Sequence, residues 1–79
     1  MDWKKHIDSD PEIASGKPII KGTRLTVEHI IGLFASGWTK EQVLSNYPSI
    51  SEESLNAAFA FITEIVRDES VYFIKKSVA

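Results

Sequence analysis

Two groups of residues in this chain have types and spacing suited to contact with a nucleic acid. Lys17, Lys21, Arg24 and Lys40 are cations carried on a Gly/Pro-punctuated stretch and the start of an expected helix. Cations so placed can meet phosphates. Ser51, Ser54 and Asn56 fall at the start of a later helix, and their hydroxyl and amide groups are of the kind that reads base edges. Glu52 and Glu53 stand among them and would repel phosphates. A structural reading explains the same residues without nucleic acid: Ser51 caps the helix and the two glutamates suit its positive end. The residues alone leave both readings open.

Other chemistry-bearing residues have plainer uses. Gly16, Pro18 and Gly22 sit in no phosphate-cradling loop pattern, so they read as turn formers. Arg24 can hold a phosphate or a partner carboxylate bidentately, or brace the β segment against Glu28 or a dimer mate. His6 and His29 are separated by a turn-rich segment with no ligand spacing around them, so no metal site is expected. Glu41, Glu52 and Glu53 would need a cleft to serve as acids or bases, and three short helices offer little room for one. No enzyme and no cofactor are expected.

The elements that must position these residues are legible from breakers and periodicity. Asp10-Pro11, Ser15-Gly16, Lys17-Pro18 and Lys21-Gly22 forbid a long helix before residue 25. Ile7, Ile13, Ile19-Ile20 and Leu25 lie between them, and short strands are expected around 5–8, 18–21 and 23–26. Val27, Ile30, Ile31, Phe34 and Ala35 then form one helical stripe over 27–36, with Thr26 as its cap and Gly37 at its end. Thr39 and Gln42 form a capping box for a second helix, which Pro48 ends at Tyr47. Ser51 opens a third helix running to about 68, with Leu55, Ala58, Phe59, Ile62, Ile65 and Val66 as its stripe. Trp38 and Tyr47 are expected in the core. The conformation of residues 69–79 is open between a helical extension and a strand-like run, Val71-Tyr72-Phe73-Ile74.

Seventy-nine residues make a single domain, with strands and turns over 3–25 and three helices over 26–68. A chain of this size buries roughly two thirds of its unfolded surface, so partner surface is expected to complete the core. Trp3, Ile7, Ile19, Tyr72 and Phe73 are the candidates for a dimer or partner interface. The formal net charge of −2 divides unevenly: residues 1–24 carry +1, residues 25–69 carry −5, and Lys75 and Lys76 add +2. The helical part therefore looks poorly equipped for DNA on its own. Zero cysteines exclude disulfides and thiolate metal sites. No apolar run approaches the roughly 20 residues of a membrane span, and the N-terminal residues lack an apolar signal region, so a cytoplasmic protein is expected.

The second and third helices are joined by a short link at Pro48-Ser49-Ile50, anchored by Val43, Tyr47, Ile50 and Leu55. This is the arrangement a helix-turn-helix requires. Ala35, Gly37-Trp38-Thr39 and Ile50-Ser51 fall where trihelical domains of resolvase and transposase type carry similar residues. The stretch also resembles a prokaryotic family named domain of unknown function 433. The resemblance is carried by Pro11, Gly16, Lys17, Pro18, Ile20, Gly22, Thr23, Arg24, Leu25 and Val27, and by Leu33, Gly37, Thr39, Glu41, Val43, Leu44, Tyr47 and Pro48. It covers about residues 6–62.

That resemblance implies a mostly α, homeodomain-like trihelical fold preceded by a short β segment, and a dimer. It further implies an antitoxin that silences a PIN-like ribonuclease toxin and represses the shared operon by binding double-stranded DNA. The competing expectation is a dimerisation or interaction domain whose helix-turn-helix is only architectural.

Overall fold

A computed structural model describes residues 2–68. The chain opens with one 3-10 turn over Trp3–Lys5, followed by β1 (Ile7–Asp8). It then passes through a loop to β2 (Ile19–Ile20) and into three helices, α1 (Val27–Ala35), α2 (Lys40–Asn46) and α3 (Glu52–Asp68). The fold is mostly helical, with a two-stranded antiparallel ribbon in front of a three-helix bundle.

The ribbon is short because turn chemistry claims most of its residues. Ile7 pairs with Ile20 and Asp8 with Ile19. Beyond β2 the chain reverses over Lys21-Gly22. Gly22 takes φ +84° and the Thr23 amide donates to the Ile20 carbonyl at 3.0 Å, which is a type II turn. The Thr23 hydroxyl donates to that carbonyl at 2.8 Å and accepts from the Leu25 amide at 3.0 Å. Thr26 then bridges to Ile19, so the expected strand at 23–26 is reduced to one bridge.

The loop between the strands holds an unusual turn. Ala14, Ser15 and Gly16 have φ of +52°, +58° and +83°, and the Gly16 and Lys17 amides donate to the Ile13 and Ala14 carbonyls. One left-handed 3-10-type turn results. Two non-glycine residues in this region are disfavoured, and the Ser9 hydroxyl holds the turn by donating to the Gly16 carbonyl at 2.6 Å.

The helices begin and end at their caps. Thr26 Oγ1 accepts from the His29 amide at 3.0 Å. After Ala35 the chain closes in a Schellman motif: the Trp38 amide donates to Leu33, the Gly37 amide to Phe34, and Gly37 lies at φ +100°. Thr39 and Gln42 form both bonds of the capping box. Ser51 Oγ accepts from the Ser54 amide at 3.0 Å, so α3 has the serine cap its sequence calls for.

Ile7, Ile20, Val27, Ile30, Val43, Ile50, Leu55, Ala57 and Ala58 form one core. Trp38 and Tyr47 pack against it half-buried rather than lying inside it. The stripe of α3 is covered unevenly. Leu55 and Ala58 are buried, while Phe59, Ile65 and Val66 remain 38%, 39% and 45% exposed. On another side of α3, Phe61 meets Trp3 edge to face with centroids 4.7 Å apart, and the Trp3 indole N–H donates to Glu64.

Candidate functional site

The short link Pro48-Ser49-Ile50 brings the starts of α2 and α3 together. Ile50, buried to 4% exposure, and Val43 and Leu55, both fully buried, anchor that junction. Its outer surface carries Lys40, Glu41, Glu52 and Glu53, all exposed. Lys40 Nζ lies 2.8 Å from Glu52 Oε1, tying the first turn of α2 to the first turn of α3. The hydrogen bond to Glu52 and then its charge hold the Lys40 ammonium above its ordinary pKa. The same bond, followed by the charge of Lys40, holds the Glu52 carboxyl below the usual carboxylate range.

This pairing changes what the sequence-selected residues present. Lys40 faces a carboxylate of its own chain, so a phosphate would have to displace Glu52 to reach it. Ser51 and Ser54 are engaged with one another: their hydroxyls are 3.0 Å apart, and Ser51 also caps α3. Asn56 is exposed one turn into the helix. Glu41 and Glu53 complete an acidic end to the helix-turn-helix.

The remaining cations stand on other elements. Lys17 is 3.2 Å from Glu28 on the first turn of α1. Glu28 therefore pairs with Lys17, where the sequence suggested Arg24. Lys21 and Arg24 are exposed at the β2–α1 turn, with no ion pair to a described residue. Lys4 lies 5.9 Å from the centre of the Trp3 ring.

The expected interface residues divide. Ile7 and Ile19 are 8% and 3% exposed, because their side chains are taken into this chain's own fold by the ribbon register. What Ile7 still shows lines a small pocket with Trp3, Pro18 and Phe61. Trp3 is likewise engaged within the protomer, half-buried against Phe61. Tyr72 and Phe73 lie outside the described residues.

Sequence reasoning missed the contact between His29 and Tyr47. His29 Nε2 is 3.1 Å from the Tyr47 hydroxyl and the rings meet edge to face, joining α1 to the end of α2. His29 also lines an open groove of 680 Å³ with mixed polar and apolar walls, among them Lys17, Thr26, Glu28, Leu33 and Ser36. No periodic signal links a residue on one helix face to the closing residue of the next helix. Among the described residues, no group of three or more His, Asp or Glu side chains is arranged to hold a metal ion.

Residues 7–62 match the model of a family described as "Protein of unknown function (DUF433)". The chain belongs to the DUF433 family. A similar protein is the uncharacterised y4eO of Sinorhizobium fredii, 33% identical over 52 residues that make up 66% of this chain and 24% of that protein. The chain thus spans about a quarter of the length of that relative. The crystal structure of a DUF433 member from Anabaena variabilis superposes with a TM-score of 0.71 at 28% identity, covering 73% of this chain and 57% of the other. The DUF433 match begins at β1 and stops within α3, so it takes in the acidic junction and leaves out Trp3 and everything after Ile62. No helix among the described residues is long and apolar enough to cross a membrane.

Proposed function

We propose that this DUF433 domain is a non-enzymatic, antitoxin-like binding module that grips a partner protein through the acidic end of its helix-turn-helix. The partner of best-fitting chemistry is a basic ribonuclease, the toxin class the family resemblance implies. The Lys40–Glu52 pair carries this reading: among the described residues it engages the only cation of the α2–α3 junction internally and leaves Glu41 and Glu53 exposed. A surface of that sign attracts a basic partner and opposes a phosphate backbone.

A second reading, promoter binding, draws support from Lys21 and Arg24, exposed and free of ion pairs with described residues at the β2–α1 turn. In that reading the ribbon supplies phosphate contacts, alongside Lys4 and Lys5, and a dimer supplies two such ribbons. The two readings meet in an autoregulating antitoxin, where a toxin complex binds the shared promoter.

The decisive experiment co-expresses the chain with the product of its neighbouring gene, purifies the complex, and runs a gel shift on their promoter at physiological salt. A stable complex that shifts the promoter supports the full reading. A complex that binds no DNA retains the partner-binding module and removes the regulator. A chain that binds neither partner nor promoter overturns the proposal in favour of an architectural helix-turn-helix.

A further inference from the structure

Residues 2–8 form an arm, the 3-10 turn and β1, that packs on elements far along the chain. Trp3 meets Phe61 edge to face and donates its indole N–H to Glu64, Ile7 pairs with Ile20, and the Lys21 amide donates to the His6 carbonyl at 2.8 Å. The loop that joins this arm to the rest contributes nothing to the core: no residue from Ser9 to Lys17 is buried. The backbone hydrogen bonds its amides donate stay within residues 8–17, and its ion pair to α1, Lys17 with Glu28, is solvent-exposed. The loop is also strained. Ala14 and Ser15 stand at φ +52° and +58°, a region that residues other than glycine rarely take, and that strain is released when the loop opens. Between arm and body a 250 Å³ pocket lined by Trp3, Ile7, Pro18 and Phe61 leaves the seam incompletely packed.

We infer that the arm exchanges between two copies of this chain, each laying its residues 2–8 on β2 and α3 of the other. The contacts of the arm are the same in monomer and dimer, so they do not decide between the two. The loop decides, because connections under strain favour the exchanged form. The entropy of joining two chains opposes it and sets the concentration at which dimer forms. Reach permits the exchange: the nine residues 9–17, extended, span about 30 Å, against a body 29 Å across its middle axis. The exchange is reciprocal and closes as a two-fold pair, leaving no free arm to propagate a fibre. It also makes the basic ribbon a joint structure. Lys4 and Lys5 of one copy then stand beside the turn of the other that carries Lys21 and Arg24, so each group of four cations needs both chains. Neither a toxin nor a promoter is required for it.

The test uses the full chain, which has no cysteine of its own. One variant carries His6→Cys and a second Lys21→Cys, positions opposite each other in the ribbon. The two are unfolded in urea, mixed, refolded together at millimolar concentration, which is the effective concentration a short tether supplies, and oxidised mildly. The expected product is a dimer, isolated by gel filtration, in which the His6→Cys chain is linked to the Lys21→Cys chain and the circular dichroism of the parent is kept. A control mixture of His6→Cys with Ser49→Cys, whose thiols the exchanged arm does not bring together, should give far less linked dimer. Ala14→Gly with Ser15→Gly removes the strain and should lower the dimer fraction about tenfold. Ser15→Pro, which cannot take φ +58°, should raise it. A chain that refolds only as monomer at every concentration overturns the inference. So does a dimer in which the mixed pair links no more often than the control, because that dimer forms through another surface. A dimer fraction indifferent to the glycine pair overturns it too, even where the proline variant fails to fold.

Discussion

Thr23 and Gly22 show how much of this fold rests on single residues in a turn. The Thr23 hydroxyl both donates and accepts within the reversal that leads from β2 into α1. Thr23→Val keeps the shape and removes both bonds, and should lower unfolding free energy by about 1–2 kcal/mol. Gly22→Ala places a Cβ at φ +84°, although nothing lies within 4 Å to clash with it. Its penalty is therefore backbone strain alone, about 1 kcal/mol. Urea titrations of the two variants would check these values, and a Gly22→Ala protein as stable as the parent would show that the turn is not held at positive φ. The Lys40–Glu52 pair lies at the solvent-exposed surface, so its worth lies in pH dependence. The carboxyl of Glu52 is held below its ordinary range, so the pair stabilises the fold above that range and the contribution fades as pH falls through the lowered value. The ammonium of Lys40 is held above its ordinary value, so the contribution also fades as pH rises through that raised value. The parent chain should therefore exceed Glu52→Gln in urea midpoint at pH 7 by a small margin that shrinks as pH falls below the ordinary carboxylate range. A margin that stays constant as the carboxylates are protonated would remove the ion pair as its cause.

At the scale of elements, the helices were legible because their ends are written in local chemistry. Thr26, Thr39 and Ser51 each accept an amide at the start of a helix, and Gly37 and Pro48 stop the first two where they stand. Thr39→Ala dissolves the capping box and should cost about 1 kcal/mol, while Leu55→Ala, fully buried at the α2–α3 junction, should cost about 2–5 kcal/mol. A smaller loss for Leu55→Ala than for Thr39→Ala in thermal unfolding would mean that the junction is not close-packed. What the sequence concealed was long-range. Ile7 and Ile19 looked like interface residues because two-residue strands offer too few positions for an alternation to be read. The ribbon register, and for Ile7 the packing of α3 on β1, bury both within the chain. The left-handed turn at Ala14–Gly16 escaped because alanine and serine carry no signal for positive φ. Trp3 escaped because its partners, Phe61 and Glu64, are nearly the whole chain away.

At the scale of the whole molecule, the distribution of charge sets the two proposed readings, a basic protein partner and promoter DNA, against each other. The ribbon half is slightly basic and the helical half strongly acidic, and within the helical half Lys40 is already neutralised by Glu52. A basic partner approaching the helix-turn-helix would be steered by Glu41, Glu52 and Glu53, so its association rate should fall as salt is raised. Glu52→Ala with Glu53→Ala should slow that association about tenfold at low salt and flatten its salt dependence, with dissociation changed less. DNA binding through the ribbon would behave in the opposite way. Lys21→Glu with Arg24→Glu would weaken it and reduce the salt slope by about 1 for each phosphate no longer neutralised, while the glutamate substitutions would strengthen it by removing repulsion. Measuring both double variants against both ligands across a salt series separates the two halves of the molecule. If the glutamate substitutions leave partner association untouched at every ionic strength, the acidic end of the helix-turn-helix is not where the partner lands.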